Sequence, residues 1–151
     1  CFDPWNALYH KRESHYNIDD YLKKQLSNIN RFTKSYNVLT IIGVHPPTPE
    51  KSSVKQYSCP SMFDIEGGSG WSKKLDEIIA FHRSSDDFFD TRVEVHVQKI
   101  KHHKTTGVPT PRDAPAILRF NRKSNRFEGE DGYDPLEEAL RDKSEQMELE
   151  F

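Results

Sequence analysis

Cysteine is scarce in this sequence: Cys1 and Cys59 are the only two in 151 residues. So few thiols, with no leader-like opening, lead us to expect a reduced, soluble, intracellular protein. Apolar residues make up 34% of the chain and nowhere run to the roughly 18 residues that a membrane span needs, so no membrane partner is expected. Charge of one sign is also lacking. Lysine plus arginine number 22 against 24 acidic residues, which excludes a surface coated in positive charge but not a local basic groove. No C-x-x-C or H-x-x-x-H pair occurs, so the scattered His96, His102, His103 and Cys59 carry no zinc signature. An initiator methionine is absent too. Cys1-Phe2-Asp3 reads as the end of an apolar strand whose start is missing, and a fragment of a longer chain is expected.

What is present fits one domain of modest core and wet surface, because 30% of the residues are charged. Ile18, Tyr21, Leu22, Leu26, Ile29, Phe32 and Tyr36 recur at helical spacing, which predicts an amphipathic helix of about five turns. The β-branched run from Val38 to His45 predicts a strand buried on both faces of a parallel sheet, making a βαβ unit with the strand that ends at Asp3. Four prolines between Pro46 and Pro60 mark a long loop at the end of that strand, where open α/β sheets bind ligands. A short helix at 71–75, a strand at 76–83 and a polar turn at 84–90 follow. Residues 91–101 alternate and should pair with 116–120 as an antiparallel hairpin. Asp134-Pro135 has the form of a helix start, but the charged residues beyond it suit a weakly packed or disordered tail.

Several residues stand where chemistry would use them. Asp3 closes an apolar strand, the place where nucleotide enzymes hold a magnesium ion through its water shell; a turn-capping aspartate is the plainer alternative. His45, at the tip of the neighbouring predicted strand, should open onto the same crevice, able to donate to a phosphate oxygen or simply to make a rim hydrogen bond. Lys99 and Lys101, two apart before a loop, suit either an anion or an ordinary edge strand. Lys51, Lys55 and Tyr57 combine cations with an aromatic in the proline-rich loop, which suits a nucleic-acid backbone and equally a solvated loop.

Taken in order, FDPWN at the start, IIGVHPPTPEK ending at Lys51, FDIEGGSGWSKKLDEIIAFHR ending at Arg83 and VEVHVQKIKHHKTTG ending at Gly107 resemble the core of the DnaB-type replicative helicases, with particular similarity to phage primase-helicases and Twinkle. The resemblance runs from Asp3 to Phe120. It implies an α/β fold: the C-terminal half of a RecA-like P-loop ATPase domain over residues 1–132, with a mostly parallel central sheet flanked by helices and a C-terminal antiparallel hairpin. Residues 133–151 form the charged tail. It also implies a homo-hexameric ring that moves 5′ to 3′ along single-stranded DNA, using ATP and Mg, with a primase part left open and a cytoplasmic setting of bacterial or phage origin. By position Asp3 corresponds to the Walker B aspartate and His45 to the γ-phosphate sensor. Lys51, with Lys55 and Tyr57 near it, falls on the DNA loop, and Arg83 and Phe120 fall where the family contacts adenine. Lys99 and Lys101 match the pair that reaches the neighbouring subunit's γ-phosphate.

Two departures bear on activity. The second member of that pair is a lysine here, which has no bidentate fork for a transition-state phosphate. No G-x-x-x-x-G-K-[ST] occurs, and the family's upstream general-base glutamate is missing, so these residues by themselves are not expected to hydrolyse ATP. Two rivals follow. One is a non-enzymatic DNA-binding or scaffold module with a degenerate ATPase fold. The other is a metal-dependent nuclease built on Asp64 and Glu94, which the sequence Glu94-Val95-His96 fits poorly because the expected Glu-x-Lys is not there.

Overall fold

The computed structural model describes residues 1, 3–11, 15, 17–47 and 58–137. A single 3-10 turn at Trp5–Ala7 precedes helix α1, Ile18–Tyr36. The boundaries of α1 have local causes. The Asn17 side chain accepts from Asp20 N at 2.8 Å, Asp19 and Asp20 sit at the positive end of the helix dipole, and Asn37 closes the helix in the left-handed region at φ 48°.

Helix α1 buries Leu22 and Leu26 against Trp71 of helix α2, Ser69–Lys74; Trp5, Ile29, Ile42, Val44, Ile65 and Leu75 close around them. Glycines just before and within the first turn of α2 stand close to α1. A Cβ on Gly67 would fall 2.5 Å from Leu22 Cδ2, and one on Gly70 3.0 Å from the same atom, so a side chain at either place would make the Leu22 methyl shift; Gly67 also takes φ 82°, which favours glycine.

The second half is a four-stranded meander, β1 (Glu77–His82), β2 (Arg92–Ile100), β3 (Ala116–Asn121) and β4 (Arg126–Gly129), antiparallel throughout and in that spatial order. A one-turn helix, α3 (His103–Thr106), follows β2. His82 faces Glu94, Val93 faces Leu118 and Phe120 faces Phe127 across the ladders, and the β1–β2 register slips between Ile78 and Ile79. Val93 and His82 are the buried residues of this sheet, which is otherwise open: Phe81 is 69% exposed.

The α/β composition and the 91–101 with 116–120 hairpin agree with the sequence reading, but the mostly parallel central sheet does not. Parallel neighbours need a crossover of a dozen residues or more, usually a helix, whereas β1, β2, β3 and β4 are joined by turns and loops with at most the single turn α3 between them. The Val38–His45 run is also corrected. A strand covered on both faces needs neighbours on both sides; here Ile42 alone carries a bridge, and Val38, Leu39 and Ile41 are 43%, 84% and 57% exposed. Strand β4 was not foreseen. It follows a turn in which Asn121 Oδ1 accepts from Lys123 N at 2.9 Å and Asn125 takes φ 55°. The cap expected at Asp134 forms, accepting from Leu136 N at 2.9 Å, and Arg126 pairs with its carboxylate at 3.0 Å; residues 138–151 lie outside the described residues.

Candidate nucleotide and DNA site

Asp3 and His45 lie on two segments that run side by side. Trp5 N donates to Gly43 O at 2.7 Å, and one step further the Asn6 amide grips the His45 backbone from both sides, Oδ1 accepting from His45 N at 2.9 Å and Nδ2 donating to His45 O at 3.2 Å. The Asp3 carboxylate rests against the bare Cα of Gly43, where a Cβ would come within 2.5 Å of its Oδ1. Both side chains are exposed, so a phosphate-bound metal shell can approach them. Asn6 serves as a side-chain extension of the backbone pairing. The sequence singled it out only as part of the FDPWN motif.

The two lysines part company. Lys99 turns inward: its Nζ donates to Ser72 O at 2.5 Å and Leu75 O at 2.6 Å, capping the C-terminal end of α2, where a cation is favoured. It thereby ties the sheet to the helical core. Lys101 remains at the surface, 56% exposed, with Asp76 Oδ1 at 2.7 Å as its partner. That hydrogen bond is the main reason the Asp76 carboxyl titrates below the usual carboxylate range; partial burial opposes it.

Arg83 and Phe120, far apart in sequence, line one cleft. It has a volume of about 250 Å³ and is completed by Asp90, Thr91, Val93, Arg122 and Phe127. Arg83 stands at the end of β1 and Phe120 near the end of β3; the antiparallel order β1-β2-β3 brings those two ends to the same edge. Phe120 and Phe127 pack at 5.2 Å between ring centroids, tilted by 53°.

Lys51, Lys55 and Tyr57 lie outside the described residues. The chain just after them is held by Gln98 of β2, which donates from Nε2 to Pro60 O at 2.6 Å and accepts at Oε1 from Met62 N at 2.6 Å. Gln98 immediately precedes Lys99, so β2 carries both the anchor of this segment and Lys99, and Lys101 follows one residue past the strand's end. Sequence alone gave no hint of this clamp, because a polar residue on an alternating strand reads as solvent-facing.

The acidic residues of the nuclease rival are engaged elsewhere. Asp64 accepts from Ser61 N at 2.7 Å, while Glu94 takes Ser84 Oγ at 2.8 Å and His96 Nε2 at 3.1 Å. Burial pushes the Glu94 carboxyl upward, but those two hydrogen bonds and the charges of His82 and His96 bring it below its usual value. Burial, and then the Glu94 charge, raise the nearby Cys59 thiol. Among the described residues no group of three or more His, Cys, Asp or Glu is placed to hold a metal ion. No helix among them is long and apolar enough to cross a membrane.

No protein-family model matches the chain. Over 85 residues, 56% of this chain, it is 27% identical to the Twinkle homolog protein, chloroplastic/mitochondrial, of Arabidopsis thaliana. The match spans 12% of that protein's length. This is a distant similarity. It supports a distant DnaB- or Twinkle-like relationship and no more than that.

Proposed function

We propose that this chain is the part of a ring-type replicative DNA helicase that begins at the metal-binding aspartate, and that its parent works as a homo-hexamer on single-stranded DNA with Mg-ATP, moving 5′ to 3′. A primase part in the same parent fits the proposal. Asp3 holds the metal through water and His45 senses the γ-phosphate. Lys101 reaches a neighbouring subunit, and Lys51, Lys55 and Tyr57 track the DNA backbone. Lys99 supports Lys101 by anchoring the end of β2, from which Lys101 follows.

One observation carries the reading: Arg83 and Phe120, which the family resemblance pairs at the adenine base, stand together in a cleft floored by two phenylalanine rings. Planar guanidinium and phenyl groups are suited to the faces of a base, and each stacking contact contributes about 1–3 kcal/mol. In this reading the 151-residue chain binds nucleotide without hydrolysing it, since it contains no phosphate loop. Adenosine titrated calorimetrically into the chain should bind, and Phe120→Ala should weaken binding by roughly 5- to 150-fold. An adenosine affinity indifferent to Phe120→Ala refutes the assignment.

A further inference from the structure

The meander has one apolar face. Residues that oppose each other across the ladders share a face, and Phe81 opposes Val95, Val93 opposes Leu118 and Phe120 opposes Phe127; Ile79, two residues before Phe81, extends the same side. The other side is polar, with His82 opposite Glu94 and Arg119 opposite Glu128. The Phe120 end of the apolar face is the cleft of Arg83. The rest lacks a cover among the described residues: Phe81 is 69% and Ile79 47% exposed, and the helical core around Leu22, Leu26 and Trp71 takes in none of these side chains. A sheet with one bare apolar face needs a second layer.

The chain itself leads onto this face. Gly129 opposes Leu118, and a Cβ built on Gly129 would lie 3.6 Å from the Cβ of Tyr133, so the turn after β4 folds back over the apolar side. There Gly129 N donates to Tyr133 O at 2.8 Å, and Asp134, paired with Arg126, caps a helical turn at 135–137. Beyond Glu137, Leu140, Met147 and Phe151 repeat the position of Leu136 at helical spacing, within one narrow stripe. Glu138, Arg141, Asp142, Glu145 and Glu148 fall on the far side of that stripe; Lys143, at its edge, has a stem long enough to lie along it. A helix over 135–151 would be about 25 Å long, and β1 lies about 14 Å from β4, three strand spacings away, so Met147 comes level with Phe81. The bare patch measures only roughly 14 by 20 Å, far less than the ~800 Å² per partner that a stable dimer buries, which favours a tethered segment over a second copy. We propose that residues 138–151 continue the turn capped by Asp134 as an amphipathic helix that docks on this face, with Met147 and Phe151 against Phe81 and Ile79. The sheet is then one layer of an α/β pair closed by its own C-terminal segment.

Methyl nuclear magnetic resonance on the full 151-residue chain, labelled at methionine, tests the docking, because Met62 and Met147 are its two methionines. Met147→Leu assigns the two signals. In the unmodified chain the Met147 methyl should show cross-peaks to the Phe81 ring and an upfield ring-current shift. Phe81→Leu removes only an exposed ring, and should abolish both effects while the Met62 signal stays in place. A Met147 methyl at the position of free methionine, or one that Phe81→Leu leaves unmoved, overturns the proposal. Cross-peaks that arise only between labelled and unlabelled molecules also overturn it and give the face to a second copy.

Discussion

Trp71→Ala should lower the stability of the chain by about 3–5 kcal/mol, a large part of the roughly 5–15 kcal/mol that a domain of this size possesses. The core around this indole is small. Trp71 is 1% exposed, and with Leu22 at 3% and Leu26 at 0% it makes up the buried apolar centre of the helical half. Trp5 meets it edge to face at 5.6 Å, a contact that disappears with the ring. Gly67 and Gly70 already bring this segment close to Leu22, so little further approach is left to fill the vacated space. The bond from Trp71 Nε1 to Glu66 O, 2.8 Å, matters less, because Glu66 is exposed and water replaces the donor. Urea unfolding followed by far-ultraviolet circular dichroism reads the change. A loss below about 1 kcal/mol would show that the two helices are held by something other than this cluster.

The second large effect concerns Lys101 in the assembled parent ring. Lys101→Ala should reduce ATP turnover by a hundredfold or more while nucleotide affinity stays within about threefold, the pattern of a group that meets its anion only in the transition state. In the isolated chain this ammonium is parked on Asp76 at 2.7 Å, with more than half of each side chain in solvent. An exposed pair of this kind is worth little and exchanges readily for a phosphate. Lys99 has no such freedom, since both of its hydrogen bonds run to the end of α2. Lys101→Arg should accelerate turnover, because the planar fork meets two phosphate oxygens where an ammonium meets one. Unchanged turnover in Lys101→Ala rings removes the residue from the site.

These two residues also show where sequence reasoning reaches and where it stops. The register of α1 was legible because Ile18, Leu22, Leu26 and Ile29 recur at helical spacing; its Asn17 and Asn37 caps became visible only in the structure. Strand β2 was legible from alternation. The fate of Lys99 was not, because its partners are carbonyl groups freed by the end of a separate helix, and backbone groups leave no trace in side-chain patterns. The run from Val38 to His45 has the composition of a doubly covered strand, yet composition reports preference for burial and not the supply of neighbours.

The close approach of Leu22 to Gly67 and Gly70 is a tertiary fact with no signal in the sequence. Arg83 and Phe120 were paired by family resemblance alone, and the meander explains the pairing by folding the ends of β1 and β3 to one edge. Asn6 and Gln98 escaped notice for a shared reason. Each uses a side-chain amide in place of a peptide group, and this role becomes visible only once the irregular segment beside it is placed.

The most direct measurement on the central claim is ATP turnover by the full-length gene product with and without oligothymidylate. The account predicts hydrolysis that single-stranded DNA stimulates, supported by a G-x-x-x-x-G-K-[ST] loop encoded about 100 residues before Cys1. Turnover that DNA leaves unaltered, or a gene that lacks such a loop, contradicts it.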